Sequence, residues 1–317
     1  MTPTWDCIVV GGGAAGLSAA LVLGRARKST LVIDAGMQSN RPAEGIGGLL
    51  GHDQRPPDEL YARGRREIEA YTSVEVRDGV VARGERVDRG FRLELADGRH
   101  EHTRRVLLAT GMEYRPRAVP GLDQLWGRSV FHCPFCHGWE VRDRPLAVLA
   151  DGERGVHAAL LLRGWSDDVV LLTDGPASLG AAELERLAAG GVTVDPRPVA
   201  ELIAEDGELA AIAFADGSRL ERRGLLVPAP LHQRSDLAIQ LGASVGAPTA
   251  VAHDPVETDP MHRTTTPGVF AAGDTSAQFP QVAGAIASGS LAAVMVVQSL
   301  LAEDVGLPFP PTAPADR

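Results

Sequence analysis

The stretch that decides the fold is Asp6-Cys7-Ile8-Val9-Val10-Gly11-Gly12-Gly13-Ala14-Ala15-Gly16, continued by Leu17 to Gly24 and closed by Ser29-Thr30-Leu31-Val32-Ile33-Asp34. The first apolar run reads as a strand, the glycines as a turn, Leu17 onward as a helix, and the second apolar run as a parallel strand. Gly11 permits the tight turn, Gly13 lets backbone approach a pyrophosphate, and Gly16 lets helix and sheet pack closely. The pyrophosphate would rest on the helix N-terminus. Asp34 ends the second strand, 18 positions beyond Gly16, where a carboxylate accepts ribose hydroxyls. A lone GxGxxG carries little weight. Strand, helix and terminal acid together predict a dinucleotide site.

Around this unit, 317 residues leave room for two domains with separate cores. Hydrophobic residues at 44% and charged residues at 23% match a soluble globular chain. The net charge of −10, with no basic patch, argues against a nucleic-acid partner. Arg63, Arg65 and Arg66 form the densest basic cluster and read as a solvated helix face offset by Glu67 and Glu69. No apolar run is expected to span the ~20 residues that a bilayer requires. The N-terminal apolar segment lacks the basic start of a signal peptide. A cytoplasmic location without a membrane partner is therefore expected. Three cysteines in such a chain do not make a disulfide framework, so a close pair points to redox or metal chemistry.

A second nucleotide-type unit begins at the strand Leu146-Ala147-Val148-Leu149, with a helix expected over Val156 to Gly164. Ala150 stands where the first glycine belongs, and Asp151 and Glu153 occupy the place of a pyrophosphate. Anions there oppose the binding of another. The next strand ends Thr173-Asp174-Gly175, with no arginine to clasp a 2′-phosphate. An acid at this strand end suits NADH, and Asp174 lies 19 positions beyond Gly155, so NADH stays open.

Between the two units lies His132-Cys133-Pro134-Phe135-Cys136-His137-Gly138-Trp139-Glu140. CxxCH formally satisfies c-type haem attachment, a chemistry of exported proteins. A zinc site needs about four ligands, and His132, Cys133, Cys136 and His137 are too close in sequence to converge easily. Cys7, mid-strand, reads as a buried core residue, so no metal is expected. The redox reading needs only that a first helical turn bring both sulfurs within disulfide reach. Pro134 suits such a turn, and a helix N-terminus favours the thiolate.

Two more motifs identify the nucleotide. Val106 to Met112, VLLATGM, is a strand entering a small-residue turn. Thr264 to Ser276, TTTPGVFAAGDTS, is a strand ending in Gly273-Asp274, ahead of the long apolar run Pro280 to Leu301. With these motifs the sequence resembles the flavin-dependent pyridine nucleotide–disulfide oxidoreductases from about Asp6 to Leu301. The resemblance implies an α/β fold of two Rossmann-like, three-layer ββα nucleotide-binding domains with FAD as cofactor. It assigns FAD to Gly11, Gly13, Ala14, Ala15, Gly16, Asp34, Ala35, Ala109, Thr110, Gly111, Gly273, Asp274, Gln281 and Val282. Relatives that use NADPH carry a His-Arg-Arg run where this chain has Thr173-Asp174-Gly175. Tyr114 to Gly121, with Pro116 and Pro120, resembles the crossover between domains. The implied division is a discontinuous FAD domain of residues 1–116 and 231–305, an inserted nicotinamide-type domain of 117–230, and a flexible tail of 306–317. Phe91 to Glu101 and Leu209 to Glu221 read as Asp-Gly hairpins, one per domain.

In thioredoxin-reductase-like members the second cysteine faces the flavin and the first exchanges with substrate, which implies those roles for Cys136 and Cys133. His137 stands where such enzymes usually carry an acid, and imidazole shuttles protons near neutral pH. His132 is a further candidate. The form CPFCHGWE, the missing arginines and the segment Asn40 to Asp53, NRPAEGIGGLLGHD, resemble the FAD-dependent dithiol oxidases of the gliotoxin and holomycin type. That implies a homodimer taking electrons from a small-molecule dithiol to O₂, with hydrogen peroxide formed. Asn40, Arg41 and His52 are candidates to line the flavin or substrate side. The alternatives are a disulfide reductase fed by NADH, NADPH or another donor such as ferredoxin, a redox-sensing flavoprotein, and an enzyme acting on protein thiols. Aromatic residues, at 4%, suggest no aromatic docking groove.

Overall fold

The computed structural model describes residues 4–276 and 279–309. The chain forms two compact units: Met1–Ser39, Asp58–Tyr114 and Pro230–Arg317 make the first, Asn40–Pro57 and Arg115–Ala229 the second. The segment Asn40–Pro57, expected inside the FAD domain, groups with the second unit. Part of the expected tail, residues 310–317, lies outside the described residues.

In the first unit the chain runs β1 (Thr4–Val10), α1 (Ala14–Arg25), β2 (Thr30–Asp34), α2 (Pro57–Ile68), β3 (Val74–Asp78), β4 (Val81–Val87), β5 (Gly90–Leu95), β6 (His100–Leu108) and β7 (Met112–Tyr114). The second unit follows with β8 (Val130–Phe131), α3 (Pro134–His137), β9 (Leu146–Leu149), α4 (Gly152–Leu162), β10 (Val169–Leu172), α5 (Ala181–Ala189), β11 (Val192–Asp195), β12 (Val199–Glu205), β13 (Glu208–Phe214), β14 (Arg219–Glu221) and β15 (Gly224–Leu226). The chain then re-enters the first unit through β16 (Leu231–Gln233), α6 (Leu237–Gln240), β17 (Val269–Ala271) and α7 (Val282–Val305).

The first sheet has the order β3-β2-β1-β6-β5-β4, with β17 also on β6. The strands β1, β2, β3, β6 and β17 are parallel, and β4 and β5 close one side as antiparallel hairpins. Strand alternation sorts the core into two layers. Cys7, Val9 and Val32 face Leu17, Leu23, Ala292 and Val296 of α1 and α7. Ile8, Val10, Leu31 and Ile33 face Phe91, Leu93, Leu95, Leu237 and Leu241. Cys7 is a buried free thiol, and burial pushes its titration up, as a core residue requires.

The second unit repeats the plan. Its sheet, β11-β10-β9-β15-β8, is parallel throughout. Leu146, Val148 and Leu171 pack on α4 through Val156, Ala159 and Leu162. Ala147, Leu149, Val170 and Leu172 pack on the antiparallel strands through Leu202, Ile212 and Phe214. Both Asp-Gly hairpins form, β5–β6 and β13–β14.

The expectation that no apolar run reaches bilayer length fails. α7 is long and apolar enough, by length and composition alone, to cross a membrane. Residues 282–302 carry no charge. The same pattern suits a core helix. Gly289 makes the packing possible: a Cβ there would lie 2.0 Å from the Ala15 carbonyl oxygen, so α7 seats directly on the backbone of α1.

Candidate functional site

The first site lies at the carboxyl ends of β1, β2, β6 and β17, where a parallel sheet presents its ligand crevice. Gly11 has φ +109°, and a Cβ there would lie 2.2 Å from the Ala109 carbonyl oxygen. At Gly16 a Cβ would lie 1.8 Å from the Gly11 carbonyl oxygen. The turn therefore closes only with glycine at both positions. Gly13, the N-cap of α1, is different: a Cβ would meet only Gln38, at 3.6 Å, so its outer side is open. Gly111, at φ +62°, likewise has nothing within 4 Å. Gly273 has φ +77° and packs against Ala15, and its N–H donates to Ser288 Oγ at 2.9 Å. Thr110 Oγ1 donates to Thr275 Oγ1 at 3.3 Å, tying the turn after β6 to the turn after β17. Gln281 caps α7 and Val282 begins it, so the free amides of a 24-residue helix start there.

Two carboxylates mark the ends of this cradle. Asp34 is buried and accepts the N–H groups of Gly12 and Gly36, both at 3.1 Å. Gln38 donates to both its oxygens at 3.2 Å, and Arg65 donates to Oδ2 at 2.5 Å. Burial opposes the charge, but the Gly36, Arg65 and Gly12 donors hold the carboxyl below the usual carboxylate range. A ribose hydroxyl must share these oxygens with Gln38 and Arg65. Arg65 was expected on a solvated face; it instead bridges Asp34 and Asp78, while Arg63 pairs with Glu67 outside. Asp274 differs. Burial pushes its carboxyl up to about 6, against the Tyr114 hydroxyl at 3.4 Å and the charge of Arg234.

The open glycine faces, helix N-termini and buried carboxyl are a fit for a dinucleotide. Gly11, Gly13, Ala14, Ala15, Gly16, Asp34, Ala35, Ala109, Thr110, Gly111, Gly273, Asp274, Gln281 and Val282 all belong to the first unit. Asn40, Arg41 and His52 belong to the second.

The second site is the cysteine pair. Cys133 and Cys136 form a disulfide with their Cα atoms 5.3 Å apart. The helix expected to follow is a single turn, α3, with Cys133 as N-cap and Pro134 in the first turn. One turn carries little of the dipole that favours a thiolate, so the surroundings of the pair matter more. Segment 40–57 supplies part of them. A Cβ on Gly47 would lie 2.6 Å from the Cys136 carbonyl oxygen, and Gln54 Nε2 donates to Glu140 Oε1 at 2.6 Å. Trp165 underlies the turn, meeting Phe135 edge-on at 5.5 Å.

The two histidines flank the disulfide. The His137 ring stacks on Phe131 at 5.9 Å, and neither of its nitrogens has a hydrogen-bond partner among the described residues. Burial lowers its affinity for a proton; Glu140 and the Gly127 and Cys133 backbones oppose this without closing a regular hydrogen bond to the ring. His132 stacks on Trp126 at 5.8 Å. Burial first, then the neighbouring His137, push it down to about 4. Both rings are thus neutral near pH 7, and His137 keeps lone-pair capacity for a proton.

A pyridine nucleotide–disulphide oxidoreductase model matches residues 5–289. The chain belongs to this family. It is thioredoxin-reductase-like, an α/β fold with two nucleotide-binding parallel sheets, and its activity is that of an FAD-dependent thiol/disulfide oxidoreductase. Among solved structures, an oxidoreductase from Agrobacterium tumefaciens shares 35% identity at TM-score 0.89, covering 94% of this chain and 99% of that one. HlmI shares 36% at TM-score 0.90, covering 96% of each. Thioredoxin reductase tcpT of Claviceps purpurea is 33% identical over 308 residues, 94% of this chain and 95% of that protein.

Sequence reasoning missed Arg65, Gln38 and Gly47. Arg65 and Gly47 act across contacts between segments distant in sequence, which no local pattern announces.

Proposed function

We propose that this oxidoreductase is a dithiol oxidase, closing a disulfide in a small-molecule dithiol with O₂ as the final acceptor. The observation that carries the reading is the second nucleotide position, filled by the chain's own groups. Asp151, the N-cap of α4, turns its carboxylate to the Ser178 N–H at 3.0 Å. Against slight burial, donors from Gly152 and Ser178 hold it below its ordinary range, so the charge persists where a pyrophosphate would rest. Asp174, beyond the end of β10, pairs with Arg117 and accepts the Val199 N–H at 2.5 Å. Arg117, a basic group at that strand end, is therefore paired within the chain. The likeness to HlmI and the resemblance to the holomycin-type oxidases support the same reading.

A substrate thiolate attacks Cys133 Sγ, the Cys133–Cys136 bond breaks, and Cys136 leaves as thiolate. The second substrate thiol gives its proton to His137, and its sulfur attacks the substrate sulfur held on Cys133. The product disulfide forms and Cys133 leaves as thiolate. Two electrons then rest on the cysteine pair and two protons have been released. FAD, held by the first unit's glycine turn with Asp34 and Asp274, would supply the acceptor for that electron pair, which with the two protons would reduce O₂ to hydrogen peroxide. Exposed Phe135 and Trp139 flank the pair, Trp139 with the Arg142 guanidinium 3.8 Å from its ring centre, and would meet a small dithiol there. The proposal extends to a cytoplasmic homodimer with no nucleic-acid or membrane partner, and sedimentation of the flavoprotein checks its oligomeric state.

The name thioredoxin reductase carried by tcpT favours a second reading, a reductase fed by a nicotinamide. Oxygen uptake by the flavoprotein with a dithiol, with and without NADH or NADPH, separates the two. Uptake with dithiol alone supports the oxidase, and uptake that strictly requires a nicotinamide rejects it.

A further inference from the structure

His232 lies on β16, the strand by which the chain re-enters the first unit. On one side β16 pairs with β7, which sets Glu113 directly across from His232. On the other side residues 251–253 run parallel to it, with Leu231 opposite Ala252. The Leu231 N–H donates to the Val251 carbonyl at 3.0 Å, and the His253 N–H donates to the Leu231 carbonyl at 2.8 Å. Parallel register carries the next residue of each strand to the same face. His232 and His253 are those residues, and their rings stack with centroids 4.7 Å apart.

Asp254 completes the group. One ring nitrogen of each histidine and one Asp254 oxygen all lie within 4.8 Å of one another, the one such cluster of three among the described residues. Asp254 is held by the Gln233 N–H, which donates to Oδ1 at 2.9 Å. Gln233 is itself fixed, donating to the Asp254 and Thr275 carbonyls and accepting the Thr275 hydroxyl at 2.8 Å. Hydrogen bonding of this kind behind a ligand orients it and tunes its affinity. His253 is exposed, so a turn of its ring about χ2 costs little and brings the lone pairs into convergence. Neither the nucleotide cradle nor the cysteine pair uses any of these three side chains.

We propose that His232, His253 and Asp254 bind one divalent transition-metal ion of the zinc class on the first unit. Two imidazoles and one carboxylate are a donor set for Zn²⁺, Ni²⁺ or Cu²⁺ rather than for Mg²⁺ or Ca²⁺. The bound ion pins β16 to the 251–254 strand and leaves its remaining positions to water. Its effect is structural: by mass action it raises the melting temperature of the flavoprotein.

The test is calorimetric titration of Zn²⁺ into untagged, oxidised holoprotein, in which the disulfide withholds both active-site sulfurs and Cys7 is buried. One equivalent binds the wild type. His253→Ala, His232→Ala and Asp254→Asn each weaken that event by about 100-fold or more, at least the upper range seen when mere supporting groups are removed. Asp254→Asn retains an acceptor for the Gln233 N–H, and unchanged flavin absorbance shows that each variant is folded. Absence of saturable Zn²⁺ uptake by the wild type overturns the site. So does uptake that survives all three substitutions unchanged.

Discussion

The two nucleotide-type units share a parallel-sheet plan and contrast at the turn after the first strand. In the first unit that turn is glycine, closed against backbone on the inside and open at Gly13 on the outside. In the second, Ala150 begins the turn and Asp151 spends its carboxylate on Ser178. The parallel sheet and its flanking layers tolerate this, because Leu146, Val148 and Leu171 still pack on α4. Packing and recognition rest on different residues, so the same fold can carry turns of different chemistry. The second unit also carries the Cys133–Cys136 disulfide.

The contrast is sharpened most by Cys136→Ser. Dithiol oxidation falls to background while flavin absorbance stays, as followed by peroxide formation; retained turnover would separate the disulfide from the reaction. Next comes His137→Gln, which lowers the rate by about 10²-fold or more if the ring takes the substrate proton. The pH profile gives its sign. Burial lowers the proton affinity of His137, so its base form persists below the ordinary value of 6.5, and the acid limb of the wild-type rate lies under that value. In His137→Gln that limb disappears.

A paired substitution compares the turns directly. Gly11→Ala meets both a φ of +109° and the Ala109 carbonyl, and costs about 3 kcal/mol or more together with FAD retention. Gly152→Ala, at φ +63° with nothing within 4 Å, costs only about 1–2 kcal/mol and leaves FAD in place. Thermal melts with and without added FAD read both. Equal losses would erase the distinction between the cradles.

His132 gives an effect of similar size through pH. Its folded-state value, about 4, lies below the ordinary 6.5, so the unfolded chain binds more protons between the two. Stability is therefore lost as pH falls from about 6.5 to 4, by roughly 3 kcal/mol in all. His132→Asn flattens the melting temperature across that window; an unchanged slope would assign the loss elsewhere. The smallest effect is at Asp151. Asp151→Asn removes one charge from the second turn but adds no basic clamp, so NADH affinity, read by fluorescence titration, changes by only a few-fold. A large gain would mean that this single carboxylate had closed the site.

Much of this was legible because it is local. The run from Cys7 to Gly16 imposes strand, turn and helix by periodicity and glycine placement, and Asp34 follows at strand spacing. The CxxC spacing allows a disulfide by reach, and its context in the chain favours that over haem or zinc. What stayed hidden depends on tertiary contact. Arg65 sits among charges that suggest a solvated face, and only the packing of α2 brings it to Asp34. Residues 40–57 follow β2 in sequence yet group with the other unit, because Gly47 permits close approach to the Cys136 backbone. α7 shows the converse ambiguity: its composition allows a membrane span, and the Gly289 contact with Ala15 identifies a packed helix.

Anaerobic spectroscopy of the flavin puts the difference between the two units to its most direct trial. With a small dithiol the yellow absorbance bleaches at a rate that Cys136→Ser abolishes, and with NADH or NADPH in excess it does not bleach. Rapid bleaching by either nicotinamide, with none by dithiol, would contradict the oxidase reading and return the second unit to service as a cofactor site.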